Sequence, residues 1–292
     1  MTSRDLPGPA GRKPRRRLRR MILSQTAALP VLLTLCNGMA GFASIHYATK
    51  SGLGELSSIH LSIAAWLIFV AMFFDALDGR VARMTRQATD FGAQLDSLCD
   101  AISFGIAPAI LMVHVVAMTR EIEDFDILLS QAPNLGRLVM AIAVIYACCV
   151  VLRLARFNVE NAPDLLSHMG FRGLPSPAAA ALVAAVVLLF GQLLGLERGR
   201  WLKVTVGVGL PALTLTAALL MVSRFRYYHL VNRFMTGKKR FRTIVITFVL
   251  LVVGLIFLRY SLAFATILYT ASGPVEALLR RIRRSRAAPA QR

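Results

Sequence analysis

Four aspartates in one short segment are the residues of this sequence best suited to chemistry. Asp75 and Asp78 are three residues apart, and Asp96 and Asp100 are four residues apart. On an α-helix both spacings place the two side chains on one face. Two such faces on neighbouring helices would gather four carboxylates around one small volume. The pattern predicts a site for hard divalent cations, because carboxylate oxygens are the ligands that Mg²⁺ and Mn²⁺ prefer.

The chemistry expected of such a site is displacement at a phosphate. Two metal ions a few ångströms apart can hold the nonbridging and leaving oxygens of a phosphate ester. Gly79, directly after the first pair, would let a phosphate or nucleotide approach the backbone closely, and Arg83 supplies a fixed cation for a pyrophosphate. The simpler interpretation pairs the acids with Arg80, Arg83 and Arg86 in a solvated loop. That interpretation does not account for the helical spacing of both pairs.

The elements that must position these residues are membrane helices. Of 292 residues, 56% are hydrophobic and 17% are charged, whereas soluble domains carry about a quarter charged residues. Apolar runs of roughly 20 residues can cross a bilayer as helices. The sequence therefore predicts an all-α polytopic membrane helix bundle with eight spans, at residues 27–47, 59–74, 92–118, 138–152, 178–196, 204–222, 243–258 and 261–279. Only Arg259 and Tyr260 separate the last two, so residues 243–279 could instead form one long tilted helix.

Small and polar residues interrupt two of these spans. Thr34, Asn37 and Gly38 are polar or small within the apolar first span. Gly105 and Pro108 lie within the third span, where they either kink the helix and open a pocket or permit close packing.

The placement of charge predicts the orientation of the chain. The net charge of +19 is concentrated beside apolar runs, at residues 12–20, 224–242 and 280–286. This is the positive-inside pattern, and it favours attraction to anionic membrane lipids. Nucleic-acid binding is not expected, because no aromatic residues interleave with the basic N-terminal run as a base-stacking surface requires. We expect both termini and the aspartates on the cytoplasmic side of a multi-pass membrane protein.

The aspartate segment resembles the motif of the CDP-alcohol phosphotransferases, D-x2-D-G-x2-A-R-x8-G-x3-D-x3-D. All eight fixed positions match, at Asp75, Asp78, Gly79, Ala82, Arg83, Gly92, Asp96 and Asp100. The resemblance implies a six-helix core over residues 27–225, preceded by a basic cytoplasmic tail at 1–26. Residues 226–292 would add a basic loop, two further transmembrane helices and a basic cytoplasmic tail. The resemblance also implies a homodimer.

The same resemblance implies roles for individual residues. Two ions, Mg²⁺ or Mn²⁺, would be held by Asp75, Asp78, Asp96 and Asp100. Asp100 would also be the general base that takes the proton from the acceptor hydroxyl. The CDP moiety of CDP-diacylglycerol would contact Asn37, Gly79, Arg83 and Thr89. For Asn37 the alternative is a hydrogen bond between helices.

Three further segments resemble phosphatidylserine synthases, at residues 103–108 (SFGIAP), 153–158 (RLARFN) and 171–177 (FRGLPSP). They imply L-serine as the acceptor. We also expect the protein to lie in the cell inner membrane. Serine needs a cation for its carboxylate, and Arg153 and Arg156 at the end of the fourth span are candidates. Their alternative role is to anchor that helix at the lipid headgroups. A basic site also suits glycerol 3-phosphate, so phosphatidylglycerophosphate synthase is the alternative within the family.

Two functions of other classes account for part of this pattern. A membrane transporter also binds cations with intramembrane carboxylates, but its acids are expected near the midplane of a repeated structure. Here the aspartates lie at helix ends in one unrepeated segment. A scaffold that binds anionic lipid through its basic tails leaves the aspartates unexplained. Release of CMP from CDP-diacylglycerol and serine distinguishes an enzyme from both.

Overall fold

The computed structural model describes the backbone of residues 13–50, 57–85, 90–120, 134–160, 173–194, 200–223, 225, 227, 254 and 256–287. Within these residues the chain is helical and contains no β-strand. In chain order the α-helices are α1 Lys13–Thr49, α2 Ser57–Thr85, α3 Asp90–Asp100, α4 Ala107–Arg120, α5 Leu135–Glu160, α6 Ser176–Leu194, α7 Arg200–Val222 and α8 Leu258–Ala287. A π-helical segment, Ala101–Ile106, joins α3 to α4.

Seven stretches of the described residues are long and apolar enough to cross a membrane. They are Leu29–Thr49, Ser58–Met84, Phe91–Thr119, Leu135–Val159, Ser176–Leu193, Val204–Val222 and Leu258–Leu279. These correspond to the first six predicted spans and to the eighth. The chain is therefore a multi-pass integral membrane protein built as a polytopic helix bundle, as predicted.

The seventh predicted span, at residues 243–258, lies almost entirely outside the described residues. The turn falls at Phe257, two residues before the predicted break at Arg259 and Tyr260, and both of these residues lie at the start of α8. Whether residues 243–279 form one span or two stays a prediction. The backbone N–H of Ser261 donates to the Phe257 carbonyl at 2.9 Å, which begins the helix there. A single arginine does not interrupt a membrane helix, since its long side chain can carry the charge out to the headgroups.

The centre of the bundle is formed by α4 and α6. Helix α6 packs against α2, α7 and α8, and every residue from Ala179 to Ala185 is buried. Lipid tails are as apolar as leucine, so membrane helices associate through close packing, which small side chains permit. The alanines of α6 therefore suit its central position.

The outer helices present large apolar side chains at the surface of the bundle. Phe42 on α1, Phe73 on α2, Leu152 on α5 and Phe264 on α8 are all more than half exposed. A helix that is apolar on its outer face as well as its inner face is typical of a membrane span. These side chains therefore form the lipid-facing surface.

Glycines on α1 let this helix approach α3 and the π-helical segment. A Cβ added to Gly38 would lie 2.9 Å from Sγ of Cys99, and one added to Gly41 would collide with Ser103. Neither contact is possible with a larger residue unless the helices separate. The close approach carries the polar residues of α1 to the aspartates of α3.

The third predicted span widens into a π-helix directly after Asp100. Hydroxyl groups tie this segment to its neighbours, since Ser103 Oγ donates to the Asn37 carbonyl at 2.9 Å and Tyr146 OH donates to the Phe104 carbonyl at 3.1 Å. A Cβ on Gly105 would lie 3.3 Å from Cγ1 of Val150, so Gly105 serves close packing against α5. Short π-helical segments occur frequently at functional sites.

Candidate active site

The four aspartates come from two helices, as predicted, and three of them meet. Asp75 and Asp78 lie inside α2, which continues to Thr85, and Asp96 and Asp100 lie on α3. Carboxylate oxygens of Asp75, Asp78 and Asp96 all lie within 4.8 Å of one another. The charge of Asp100 interacts with those of Asp75 and Asp96. We refer to these four residues as the aspartate cluster.

The cluster suits cations because its charges are concentrated and shielded from water. Asp78 and Asp100 are only 5% and 7% exposed, and Oδ1 of Asp96 is buried without a hydrogen-bond partner among the described residues. Burying an uncompensated charge costs several kcal/mol. An oxygen-only donor set with an unpartnered carboxylate oxygen fits Mg²⁺ or Mn²⁺.

Helix α1 holds one aspartate of each pair through a hydrogen bond. Thr34 Oγ1 donates to Asp78 Oδ2 at 2.9 Å, and Asn37 Nδ2 donates to Asp100 Oδ1 at 2.9 Å. Both donors are buried. Asn37 therefore makes the interhelical hydrogen bond that was one expectation for it, and its contact with the nucleotide stays a prediction. Hydrogen bonds of this kind orient carboxylates that ligate metals.

A second polar contact ties the end of α5 to α3. Asn158 Nδ2 donates to Ser97 Oγ at 2.9 Å, and Ser97 follows Asp96 directly in the chain. Asn158 closes the RLARFN segment singled out in the sequence. This contact brings the cytoplasmic end predicted for α5 next to the aspartate cluster.

The two arginines predicted to bind serine have different surroundings. Arg153 Nη1 donates to Ser176 Oγ at 2.8 Å, and its charge interacts with that of Asp100. The Nε atom of Arg153 is buried and has no hydrogen-bond partner among the described residues. Arg156 is exposed. The fold therefore brings Arg153 towards the cluster.

The predicted nucleotide contacts on α2 lie beside the cluster. A Cβ on Gly79 would meet only Nη1 and Nη2 of Arg83, at 3.7 and 3.9 Å. The backbone at Gly79 is therefore approachable once the flexible end of Arg83 moves. Arg83 is exposed. Thr89, the fourth predicted contact, lies outside the described residues.

Several residues of the site were not assigned a role from the sequence. Thr34 precedes Asn37 by three residues, so the same-face rule that paired the aspartates would have paired these two as well. Ser97 stands next to Asp96, which is a weak signal. Ser176 lies far from Arg153 in the chain, and nothing in the sequence connects them.

A membrane helix bundle that gathers four aspartates on neighbouring helices defines a class of integral membrane enzyme. The sequence profile of the CDP-alcohol phosphatidyltransferase family matches residues 27–222. The chain belongs to this family and is an enzyme, which confirms the resemblance seen in the aspartate motif. The predicted division of the chain at residues 26 and 225 stays a prediction.

Similar proteins are found in bacteria and archaea. A CDP-diacylglycerol–serine O-phosphatidyltransferase of Helicobacter pylori is 35% identical over 199 residues, which cover 68% of this chain and 70% of that protein. A Methanocaldococcus jannaschii protein of the same name is 38% identical over 128 residues, or 44% of this chain and 52% of the relative. The archaetidylserine synthase of Methanothermobacter thermautotrophicus is 34% identical over 163 residues, or 55% and 58% of the two chains.

Proposed function

We propose that this chain transfers the phosphatidyl group of CDP-diacylglycerol to the hydroxyl of L-serine, giving phosphatidylserine and CMP. The observation that carries the proposal is the meeting of Asp75, Asp78 and Asp96 within 4.8 Å, with Asp100 beside them. The names of the bacterial and archaeal relatives support serine as the acceptor. The proposal goes beyond family membership because it names the donor and the acceptor.

In this proposal the aspartate cluster holds two divalent cations, Mg²⁺ or Mn²⁺. The oxygen-only donor set and the unpartnered Oδ1 of Asp96 support it. When bound, the cations would neutralise charge on the phosphate oxygens and polarise the phosphorus. Thr34 and Asn37 orient the carboxylates that they contact.

Asp100 is the proposed general base. Its Oδ1 accepts the hydrogen bond of Asn37, which orients the carboxylate so that Oδ2 takes the proton of the serine hydroxyl. The serine oxygen then bonds to the phosphorus that bears the lipid, and the bond from that phosphorus to the oxygen shared with CMP breaks. CMP leaves with the electron pair of this bond. Arg83 offsets its charge, and Asn37, Gly79 and Thr89 contact the CDP moiety.

Arg153 is the proposed partner of the serine carboxylate. Its Nη1 is bonded to Ser176, whereas Nε lies on the other edge of the guanidinium, which it shares with Nη2. A carboxylate that accepts from Nε and Nη2 would form a bidentate pair. It would also satisfy a buried donor whose isolation costs about 1–3 kcal/mol. Arg156 stays the second candidate, with anchoring at the headgroups as its other role.

We place the site and both termini in the cytoplasm, with the protein in the cell inner membrane. The basic residues Arg80 and Arg83 follow the aspartates of α2, and positively charged loops stay on the cytoplasmic side. The basic tails would bind anionic lipids. A homodimer is proposed on the family resemblance, and cross-linking in membranes tests it.

An acceptor panel tests the proposed function. Purified protein receives CDP-diacylglycerol, Mn²⁺ or Mg²⁺, and serine, glycerol 3-phosphate, inositol, inositol phosphate or choline, and CMP and the lipid product are measured. We expect serine to be used fastest and Asp96→Asn, the control, to release no CMP. Comparable or faster turnover of glycerol 3-phosphate would favour phosphatidylglycerophosphate synthase. No CMP with any acceptor would favour a transporter.

A further inference from the structure

Helix α5 runs antiparallel to the helical segment that carries Asp100, and two contacts fix how the two are aligned. Near the end of α5, Asn158 Nδ2 donates to Ser97 Oγ at 2.9 Å. Val150, eight residues earlier on α5, lies against Gly105, eight residues after Ser97, since a Cβ on Gly105 would be 3.3 Å from Cγ1 of Val150. The stretch of α5 between these contacts therefore passes beside Asp100.

This alignment places Arg153 at the level of Asp100. At a rise of about 1.5 Å per residue, Arg153 lies about 7.5 Å along α5 from Asn158, and Asp100 lies about 4.5 Å along α3 from Ser97. The two residues are thus about 3 Å apart in height along the helices. Arg153 also follows Val150 by three residues, so the two side chains leave neighbouring positions on one face of α5. Arg153 is therefore within reach of the aspartate cluster.

A third helix determines which way the Arg153 side chain points. Its Nη1 donates to Ser176 Oγ at 2.8 Å, and Ser176, in the first turn of α6, is only 1% exposed. The bond leaves the other edge of the guanidinium, formed by Nε and Nη2. Nε is buried and has no hydrogen-bond partner in the part of the chain that the structure describes. A long, flexible side chain is thus held at one edge and unpaired at Nε on the other.

The backbone before Ser176 is itself firmly held. Gly173 N–H donates to the Phe225 carbonyl at 2.8 Å, and Leu174 N–H donates to the Leu220 carbonyl at 3.1 Å. Gly173 has a φ of 90°, a conformation that favours glycine, and a Cβ added to it would collide with the backbone of α7. The start of α6 is therefore joined to the end of α7, and Ser176 is a fixed partner for Arg153.

We propose that Ser176 is a positioning residue for the acceptor. It binds Nη1 of Arg153, so that Nε and Nη2 form the edge left for the carboxylate of the acceptor. An Arg153 released from Ser176 would be free to turn onto Asp100, which lies at the same level. That turn would neutralise the proposed base and leave the acceptor carboxylate unpaired. The inference rests on the proposed function, because it takes Arg153 as the partner of the serine carboxylate.

Steady-state kinetics of the full chain in lipid–detergent micelles test this role. Ser176→Ala removes the hydroxyl, so the KM for serine should rise about three- to tenfold, the scale of one lost polar contact. The kcat and the KM for CDP-diacylglycerol should not change. Ser62→Ala is the matched control and should behave as the wild type, because the Ser62 hydroxyl donates to the Ser58 carbonyl of its own helix.

The fold should tolerate the substitution. Ala179 N–H donates to the Pro175 carbonyl at 3.0 Å, so the backbone begins α6 without the Ser176 side chain. Should Ser176→Ala nevertheless not fold, Ser176→Cys takes its place in every comparison. Cysteine is close to serine in size, and its sulfur is only a weak hydrogen-bond acceptor.

A double-mutant cycle asks whether Ser176 acts through Arg153. Arg153→Met keeps a long unbranched side chain and removes every donor. In that background Ser176→Ala should change the KM for serine little, because residues that act through one contact are not additive. The same fold-change in both backgrounds would overturn the inference. A merely structural role would give that result too, and would also change the KM for CDP-diacylglycerol.

The outcomes distinguish this inference from the proposed function. If the wild type makes no phosphatidylserine, the proposed function fails. If it does, and Ser176→Ala keeps the wild-type KM for serine, only the inference fails. A wild-type KM for serine in Arg153→Met would remove Arg153 from the acceptor site, and the inference with it, while the transfer reaction itself would stand.

Discussion

Replacing Gly79 with alanine should separate the structural from the catalytic effect of one methyl group. Gly79 lies within α2, directly after Asp78. The added Cβ would meet only Nη1 and Nη2 of Arg83, at 3.7 and 3.9 Å, which are ordinary contacts with the end of a flexible side chain. Alanine is favoured over glycine in a helix interior by about 0.8–1 kcal/mol. Gly79→Ala should therefore raise the free energy of unfolding by up to about 1 kcal/mol.

The same substitution should lower activity. In the proposed function the CDP moiety approaches the backbone at Gly79, and the new methyl group takes up that space. A substrate displaced by about 1 Å can lose about 10²-fold in rate. We expect kcat/KM for CDP-diacylglycerol to fall by about that factor, while the KM for serine changes less.

Thermal unfolding and CMP release measured on the same preparations make the comparison. Gly209→Ala on α7 is the matched control, because its Cβ enters open space and it should be as stable as Gly79→Ala with wild-type activity. Wild-type kinetics for Gly79→Ala would refute the proposed contact between the CDP moiety and the backbone at Gly79. A lower Tm for Gly79→Ala, but not for Gly209→Ala, would refute the inference that α2 has space for a Cβ at position 79.

Three further predictions concern the aspartate cluster. Asp100→Asn should keep CDP-diacylglycerol binding but lose at least the roughly 10²–10⁴-fold expected of a general base, whereas Asp75→Asn should weaken metal and nucleotide binding together. Binding in saturating Mn²⁺, measured beside the rate, separates them, and more than about a tenth of the wild-type rate in Asp100→Asn would place the base elsewhere. Thr34→Val removes the donor to Asp78, so the Mn²⁺ concentration for half-maximal rate should rise about 10–100-fold. Thr216→Val, whose hydroxyl donates to the Ala212 carbonyl of its own helix, should show no change. Chelation with EDTA should stop CMP release, Mn²⁺ or Mg²⁺ should restore it, and activity that persists in EDTA would contradict the metal proposal.

The sequence predicted the gathering of the aspartates because that gathering depends on local periodicity. Spacings of three and four residues place side chains on one face whatever the rest of the chain does. Hydrophobicity predicted seven of the spans in the same way. Asp75 and Asp78 nevertheless lie inside α2, not at its end, because polar residues continue the helix to Thr85. Hydrophobicity marks the apolar part of a helix and does not mark where the helix stops.

Contacts between distant parts of the chain could not be predicted from the sequence. The π-helical segment after Asp100 depends on partners from α1 and α5, among them Tyr146, whose hydroxyl reaches the Phe104 carbonyl. Arg153 and Arg156 look equivalent in the sequence, and the contact of Arg153 with Ser176 on α6 depends on the fold. The contact of Tyr227 with α8 depends on the absence of a side chain at Gly273. No local pattern encodes such a contact.

The hydrogen bonds from α1 to the aspartate cluster have a consequence for biosynthesis. Both donors and all four aspartates precede the π-helical segment, so they enter the membrane early. At about 5–20 residues per second, synthesis of the rest of the chain takes roughly another 10–40 s. In that interval the cluster can already assemble, whereas the proposed acceptor side awaits Arg153 and Ser176. If the cluster holds the proposed cations, a newly made molecule can therefore load them before it is able to select the proposed acceptor.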